Sequence, residues 1–179
     1  MDENIEVAGK TFSDLAAFGE DLGVRIMFEN CPMVGWQSDG MVGSIAYAPS
    51  IWDKLFSAVR SDNFGLNLDP SHLVWQQIDY NGIMEDFADK IYHCHAKDTE
   101  IIEEKLARNG IYGSDWWLPK IPGDGQIDWI KFVDSLRGIG YDGAMSIELE
   151  DAAWEKDEAS VKKGLVRAAE HLRPWLGGG

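Results

Sequence analysis

Four side chains that can bind a metal ion each stand at the end of a short, largely apolar run. The runs span residues 24–29, 64–69, 91–95 and 144–148, and they end at Glu29, Asp69, His95 and Glu148. Three carboxylates cannot share a restricted site without a compensating cation, because repulsion and desolvation would force protonation. A divalent cation removes this penalty, and one imidazole with carboxylate oxygens suits manganese, magnesium, zinc or cobalt. If the four run ends meet, the sequence predicts a divalent-metal site.

The runs are typical of buried parallel strands, which would bring their ends together. Helical patterns lie between them, at residues 12–22, 51–59, 128–136 and 161–172, with a weaker one at 82–90. The resulting order, α-β-α-β-α-β-α-β-α, implies a parallel sheet with right-handed crossovers. Side chains alternate along a strand, so His93 and His95 share one face and Cys94 takes the other. His93 lies one step deeper than His95, and we expect it to support a ligand or to belong to the core.

Four βα units are half of an eightfold barrel. The fold class predicted is therefore α/β, a partial (β/α)8 TIM barrel, in one domain over residues 1–176 followed by a frayed glycine tail at 177–179. The open sheet edges would need covering, and a homodimer could do this. A self-contained open α/β sheet is the alternative. Two connections, residues 32–49 and 99–125, are expected to be long loops at the carboxyl ends of the strands, where barrel enzymes build their sites.

Composition excludes several classes of protein. The chain has 179 residues, of which 45% are hydrophobic, so it can bury a core. A net charge of −15 disfavours nucleic-acid binding, since such a surface repels phosphate. No stretch approaches the ~20 apolar residues of a membrane helix. The start lacks the pattern of a signal peptide and the two cysteines form no CxxC motif, so a cytoplasmic protein is expected.

Five stretches carry a resemblance to a known family. They are Phe28-Glu29-Asn30, Leu68-Asp69-Pro70-Ser71-His72, His93-Cys94-His95-Ala96-Lys97-Asp98, residues 121–129 (IPGDGQIDW) and Ser146-Ile147-Glu148-Leu149-Glu150-Asp151. In this order they resemble the C-terminal half of the xylose-isomerase-like TIM-barrel superfamily, in particular its sugar phosphate isomerase/epimerase branch. The family's N-terminal strands, which supply part of the substrate pocket, have no counterpart here. Metal binding could therefore persist where catalysis does not.

The resemblance implies a metal bound by the four residues at the strand ends, with Glu148 rather than Glu150 as the ligand. It places His72 beside the substrate or as a further metal ligand. It also places Lys97 and Lys120 near substrate oxygens. Trp36, in the first long connection, is a further candidate for substrate contact.

The function predicted is a metal-dependent isomerase or epimerase acting on a sugar, a sugar phosphate or a polyol. The metal would stabilise an enediolate, while Glu29 and Glu148 act as the catalytic groups that remove and return a proton. One alternative is a non-catalytic half-barrel that binds metal or only assembles. Two others come from the same superfamily: a dehydratase of inosose-type ketones and an abasic-site endonuclease. The endonuclease is disfavoured by the acidic charge and by the lack of an Asp-x-His pair after Lys97-Asp98.

Overall fold

The computed structural model describes residues 1–33 and 43–176. Its helices are α1 (Asp2–Asp21), α2 (Pro49–Ala58), α3 (Pro70–Trp75), α4 (Glu103–Asn109), α5 (Trp129–Gly138) and α6 (Glu158–Leu176). Its strands are β1 (Ile26–Glu29), β2 (Phe64–Leu68), β3 (Ile91–Ala96), β4 (Asp98–Ile101), β5 (Trp117–Lys120) and β6 (Met145–Ile147). None of the helices in these ranges is long and apolar enough to cross a membrane. Trp36 and the glycine tail lie outside the described residues.

The main sheet has four strands in the order β1-β2-β3-β6, and every neighbouring pair is parallel. This confirms the predicted α/β class and the partial barrel. Helices cover one face of the sheet, where Leu66, Leu68 and Cys94 are completely buried. The opposite face of the strands carries polar side chains, among them Asn67 and His95. That face would line the interior of a closed barrel. The carboxyl ends of its four strands lie together at one end of the sheet.

The connection between β2 and β3 differs from the prediction. Residues 82–90 form turns and not a helix, and the helix of this connection, α3, begins directly after β2. Pro70 occupies the first turn of α3, where its fixed φ is favourable, and the Asp69 carboxylate accepts the backbone N–H of Ser71 as an N-cap. A strong local start signal therefore placed this helix earlier than the apolar periodicity suggested.

The second long connection is not a plain loop. Strands β4 and β5 form an antiparallel pair in which Thr99 lies opposite Pro119, and α4 stands between them. Trp116 and Ile101 are buried in a small apolar cluster under this pair. The sequence-based expectation of a loop was wrong because the pairing joins segments about twenty residues apart, which short-range periodicity does not reveal.

Both outer strands of the main sheet, β1 and β6, pair on one side only within the described residues. Beside β1, helix α1 exposes large apolar side chains. Phe18 is 64% exposed, Val7 is 62% exposed, and Leu22, the residue that follows α1, is also 62% exposed. These exposed apolar groups therefore lie next to an open strand edge.

Candidate metal centre

The carboxyl ends of the four parallel strands bring the predicted ligands together. Glu29 ends β1, Asp69 follows β2, His95 lies next to the last residue of β3, and Glu148 follows β6. One ligand atom from each of these side chains lies within 4.8 Å of the other three. The sheet therefore gathers residues that are up to 119 positions apart in the sequence into a single cluster.

Asp69 is the most rigidly held member of the cluster. Its backbone exchanges two hydrogen bonds with the buried Asn30 side chain, with Asn30 Nδ2 donating to the Asp69 carbonyl and Asp69 N–H donating to Asn30 Oδ1. Carboxylate oxygen Oδ1 caps α3 through Ser71 N–H at 2.8 Å. Burial raises the pKa of Asp69, and the nearby His72 and Lys97 only partly offset this effect. The remaining oxygen, Oδ2, faces the cluster.

His95 stands between two carboxylates. Its Nδ1 lies 2.8 Å from Glu29 Oε1 and 2.9 Å from Glu148 Oε2. The close contacts of Nδ1 with the Glu148 and Glu29 carboxylates raise the pKa of His95 to about 10, and the same contact lowers the pKa of Glu148 to about 2. Burial works to raise the pKa of Glu29, but the hydrogen bond and charge of His95 outweigh it, so the net pKa is lowered. A single Nδ1–H can point at only one of the two carboxylates.

Lys97 supplies the second positive charge. Its Nζ lies 3.2 Å from Asp69 Oδ2 and 3.1 Å from both Glu148 Oε1 and Glu150 Oε2, and its side chain is only 4% exposed. Desolvation works to lower the pKa of Lys97, but these three carboxylates prevail and raise it. The lysine is therefore charged and already engaged by acidic groups.

The donor set fits a divalent ion. Among the described residues, Asp69 Oδ2 and Glu148 Oε2 are buried oxygens without a hydrogen bond of proper geometry, although charged nitrogens lie close to both. The Nδ1–H of His95 satisfies Glu29, which explains why Glu148 Oε2 at 2.9 Å is left without a directed donor. Such oxygens are costly when unpaired, and a cation coordinated by them removes the cost. The cluster thus has the composition and the unmet bonding capacity of a metal site.

A cavity of about 260 Å³ opens over this cluster. Glu29, His72, Lys97 and Glu148 form part of its polar wall. The rings of Trp75 and Trp117 are stacked at 4.8 Å and both border it. Burial lowers the pKa of His72, so its imidazole is neutral near pH 7. Polar groups next to aromatic rings are typical of pockets for small polar ligands.

The other predicted substrate contacts lie differently. Lys120 pairs with Glu100 at 3.2 Å and is not among the residues that line this cavity. That Lys120 contacts the substrate stays a prediction, and so does the same role for Trp36. His93 is bonded to Ser146 Oγ through Nε2 at 2.9 Å, and its ring meets that of His95 edge-on. It therefore supports the floor of the site.

Asp98 is a structural residue whose role the sequence analysis missed. Its fully buried carboxylate accepts the backbone N–H groups of Thr99, Gly123 and Ile127 and the indole N–H of Trp129. The carboxylate thereby ties the Pro-Gly-Asp-Gly segment at residues 122–125 to the segment that follows β3. Asp98 stood in one of the stretches that carry the family resemblance, but only the fold shows that its carboxylate bonds to residues 123–129.

Comparisons with known proteins identify the family of this chain. A family model described as a xylose isomerase-like TIM barrel matches residues 2–175. An inosose dehydratase of Lacticaseibacillus casei is 30% identical over 134 residues, which make up 73% of this chain and 42% of that protein.

Two solved structures share the fold. The IolI protein, solved with a zinc atom, has a TM-score of 0.71 and 20% identity over 96% of this chain and 57% of that one. A D-psicose 3-epimerase has a TM-score of 0.62 and 18% identity over 95% of this chain and 55% of that one. The chain spans about half the length of these relatives. It belongs to the xylose isomerase-like TIM-barrel family.

Proposed function

We propose that this chain forms the metal-binding half of an enzyme that isomerises or epimerises a sugar, a sugar phosphate or a polyol with a divalent metal ion. The observation that carries the proposal is the cluster of Glu29, Asp69, His95 and Glu148, whose ligand atoms converge within 4.8 Å beneath an open cavity. The epimerase among the solved structures of the same fold supports the choice of reaction class.

The four clustered side chains would hold the ion, with Nδ1 of His95 and carboxylate oxygens as donors. Manganese, zinc, magnesium and cobalt all accept this ligand set. A bound ion would supply Lewis-acid stabilisation of negative charge on the substrate's carbonyl and hydroxyl oxygens. Asp69, held by Asn30 and by its capping bond, provides the most rigid anchor.

Glu29 and Glu148 are the groups that we assign to proton transfer. Both reach the same Nδ1 of His95, so both carboxylates border one point of the cavity. Their lowered pKa values keep them ionised at neutral pH, and either can accept a proton from the carbon beside a carbonyl. The other carboxylate, after it has taken up a proton from solvent, delivers that proton to the opposite face of the same carbon to give the epimer, whereas return of the abstracted proton to the neighbouring carbon gives the isomer.

His72 and Lys97 are proposed to position substrate oxygens. The neutral His72 ring borders the cavity, and a neutral imidazole can donate or accept a hydrogen bond. Lys97 borders the same cavity while it neutralises Glu148 and Glu150.

A dehydratase is the second candidate, because the Lacticaseibacillus casei relative at 30% identity is an inosose dehydratase. Dehydration also begins with removal of a proton beside a carbonyl. The two reactions differ in their second step: the epimerase returns a proton to carbon, whereas the dehydratase expels a hydroxyl group as water.

The test is proton exchange in deuterium oxide. The manganese-loaded chain is incubated with a panel of ketoses and inososes, and NMR tracks deuterium incorporation and product structure. Deuterium at the carbon beside the carbonyl, in substrate or in epimer, supports the proposal. Loss of this signal in Glu29→Gln and in Glu148→Gln chains that still bind manganese would assign the proton transfer to those residues. Loss of water favours the dehydratase, and metal binding without any exchange favours a non-catalytic half-barrel.

We also propose that a second copy of the chain covers the open edges of the sheet. Pairing of β6 with β1 of a second copy, made twice about a twofold axis, would give eight parallel strands. The exposed apolar face of α1 beside β1 would then be buried.

A further inference from the structure

Asn67 contacts His95 on the side away from the ligand cluster. It lies on the inward face of β2, two residues before Asp69, and is only 9% exposed. Its Nδ2 lies 3.0 Å from Nε2 of His95. Its other amide atom, Oδ1, is buried and has no hydrogen-bond partner among the described residues. A buried amide with one atom on a ligand's ring and the other unpaired requires a physical reason.

The pairing of β2 with β3 is irregular at Asn67, beside this contact. The register of β2 with β3 shifts between Leu66 and Asn67, so that Leu66 faces Ile91 while Asn67 faces His93. The extra residue on β3 is Tyr92, whose ring lies against Gly65, where a Cβ would come within 2.3 Å of it. Irregularities of this kind re-aim side chains in sheets and are common beside functional sites.

The nitrogen of His95 that carries a hydrogen determines which atom of the Asn67 amide can bond to the ring. His95 turns Nδ1 toward Glu29 and Glu148, so Nδ1 is the nitrogen that would bind an ion. A coordinated Nδ1 has no hydrogen, and the ring then keeps its remaining hydrogen on Nε2. An N–H at Nε2 requires an acceptor, and the amide N–H2 of Asn67 cannot be one.

Rotation of the Asn67 amide by half a turn meets this requirement. The rotation exchanges Oδ1 and Nδ2 in nearly the same volume. It gives up no hydrogen bond of Oδ1, because Oδ1 has none within the part of the chain that the structure describes. It places an acceptor 3.0 Å from Nε2, at the position that Nδ2 now holds.

We propose that Asn67 is a positioning residue for the metal centre: with the ion bound, its Oδ1 accepts the Nε2–H of His95 and thereby holds Nδ1 toward the ion. This inference rests on the proposed metal site. The adjacent ring of His93 does not take this role, since its own Nε2 is engaged by Ser146. Hydrogen bonds to the outer nitrogen of a ligand histidine usually change metal affinity by roughly 10–100-fold.

The first experiment observes the ring nitrogens directly. Chain labelled with 15N-histidine is loaded with zinc, and NMR correlates the nitrogens with ring protons, with His95 assigned by comparison with His95→Gln. We expect Nε2 to carry a hydrogen protected from exchange and Nδ1 to show the shift of a metal-bound nitrogen. Coordination through Nε2, or an Nε2–H that exchanges as fast as an exposed one, would overturn the proposal.

The second experiment measures zinc affinity by competition with a chelator. Asn67→Leu removes the acceptor with little change in volume, and we expect binding about 10–100-fold weaker. Asn67→Asp restores an acceptor and should recover most of the affinity. Ser146→Ala is the matched control, since it removes the hydrogen bond of the neighbouring His93, and it should leave the affinity unchanged.

The outcomes separate this inference from the proposed function. A wild-type chain that binds no zinc overturns both. A wild-type chain that binds zinc, with Asn67→Leu folded and equally tight, overturns only the role of Asn67. If Asn67→Leu does not fold, the wild-type NMR result and the zinc affinity of Asn67→Asp still test the role of Asn67.

Discussion

At the residue scale, the site is a balance of three carboxylates against two cations. His95 and Lys97 lie within 3.2 Å of carboxylate oxygens of Glu29, Asp69 and Glu148. A divalent ion would replace the proton of His95 as the positive charge between Glu29 and Glu148. Metal binding is therefore coupled to the ionisation of His95, and this coupling can be measured.

Metal uptake is expected to release one proton from His95 at neutral pH. The pKa of about 10 keeps the ring protonated in the metal-free chain, and a coordinated Nδ1 cannot keep its hydrogen. Apparent affinity should thus rise by up to about tenfold per pH unit from roughly pH 7 to pH 9 and level off above the pKa. Chelator competition across this range and dye-reported proton release at pH 7 provide the measurement. An affinity that is flat with pH would contradict the assignment.

Lys97→Met is expected to destabilise the metal-free chain by roughly 3–5 kcal/mol, because it leaves buried carboxylates without their cation. Added manganese or zinc should recover part of this loss, since the ion supplies the missing charge. Urea unfolding with and without metal measures both effects. Lys120→Met is the control: its partner Glu100 is exposed, so a change within about 1 kcal/mol is expected. Equal effects of the two variants would refute this balance of charges.

At the element scale, the ligands depend on how the segments after each strand are fastened. Asn30 ties the end of β1 to the end of β2, and Asp98 ties the segment at 123–129 to the end of β3. These buried polar contacts act between elements and not within them. They fasten the strand ends to their neighbours, which is what a ligand set drawn from several strands requires.

Asp98→Asn should lower the free energy of unfolding by roughly 2–4 kcal/mol, because an amide presents only one acceptor oxygen to four N–H donors. Gly125→Ala should act in the same direction, since its Cβ would lie 2.2 Å from Asp98 Oδ1. Gly138→Ala is the matched control: no atom lies within 4 Å of its Cβ position, and alanine favours the helix α5. Chemical denaturation compares the three variants, and a neutral Gly125→Ala would argue against the close packing.

At the scale of the whole molecule, the four parallel strands leave two edges and an apolar helix face uncovered within the described residues. A half-barrel has the same need as any open sheet, namely to bury its edges. In the proposed twofold dimer, β1 and β6 of one copy would pair with β6 and β1 of the other, so that both edges are buried.

Light scattering after size exclusion should give about 40 kDa, twice the chain mass of 20.0 kDa. Phe18→Glu, on the apolar face of α1, should shift the mass toward the monomer because it buries a charge in the interface. Ile130→Glu is the control, since Ile130 is exposed on α5 and does not belong to the apolar face of α1. A monomeric wild-type chain would overturn the dimer, and equal behaviour of the two variants would overturn the placement of α1 in its interface.

Much of the site could be predicted from the sequence because its signals are local. A strand that ends in Glu29 or His95 can be recognised from a short, largely apolar run of five or six residues. The order of strands and helices then implies a parallel sheet, and a parallel sheet gathers its carboxyl ends at one edge. The partial barrel and the candidate ligands emerge from patterns of this kind, whereas the family was predicted from the resemblance of five short stretches.

Only the tertiary structure decided how these residues share protons and charges. The contact of His95 with Glu29 spans 66 residues, that of Asn67 with His95 spans 28, and that of Asp98 with Trp129 spans 31. The pairing of β4 with β5 was likewise invisible to periodicity. Each depends on which segments meet in space, and that is set by the packing of the whole sheet and its helices. The sequence by itself determined which groups stand at the strand ends; the fold decided which of them bond to one another.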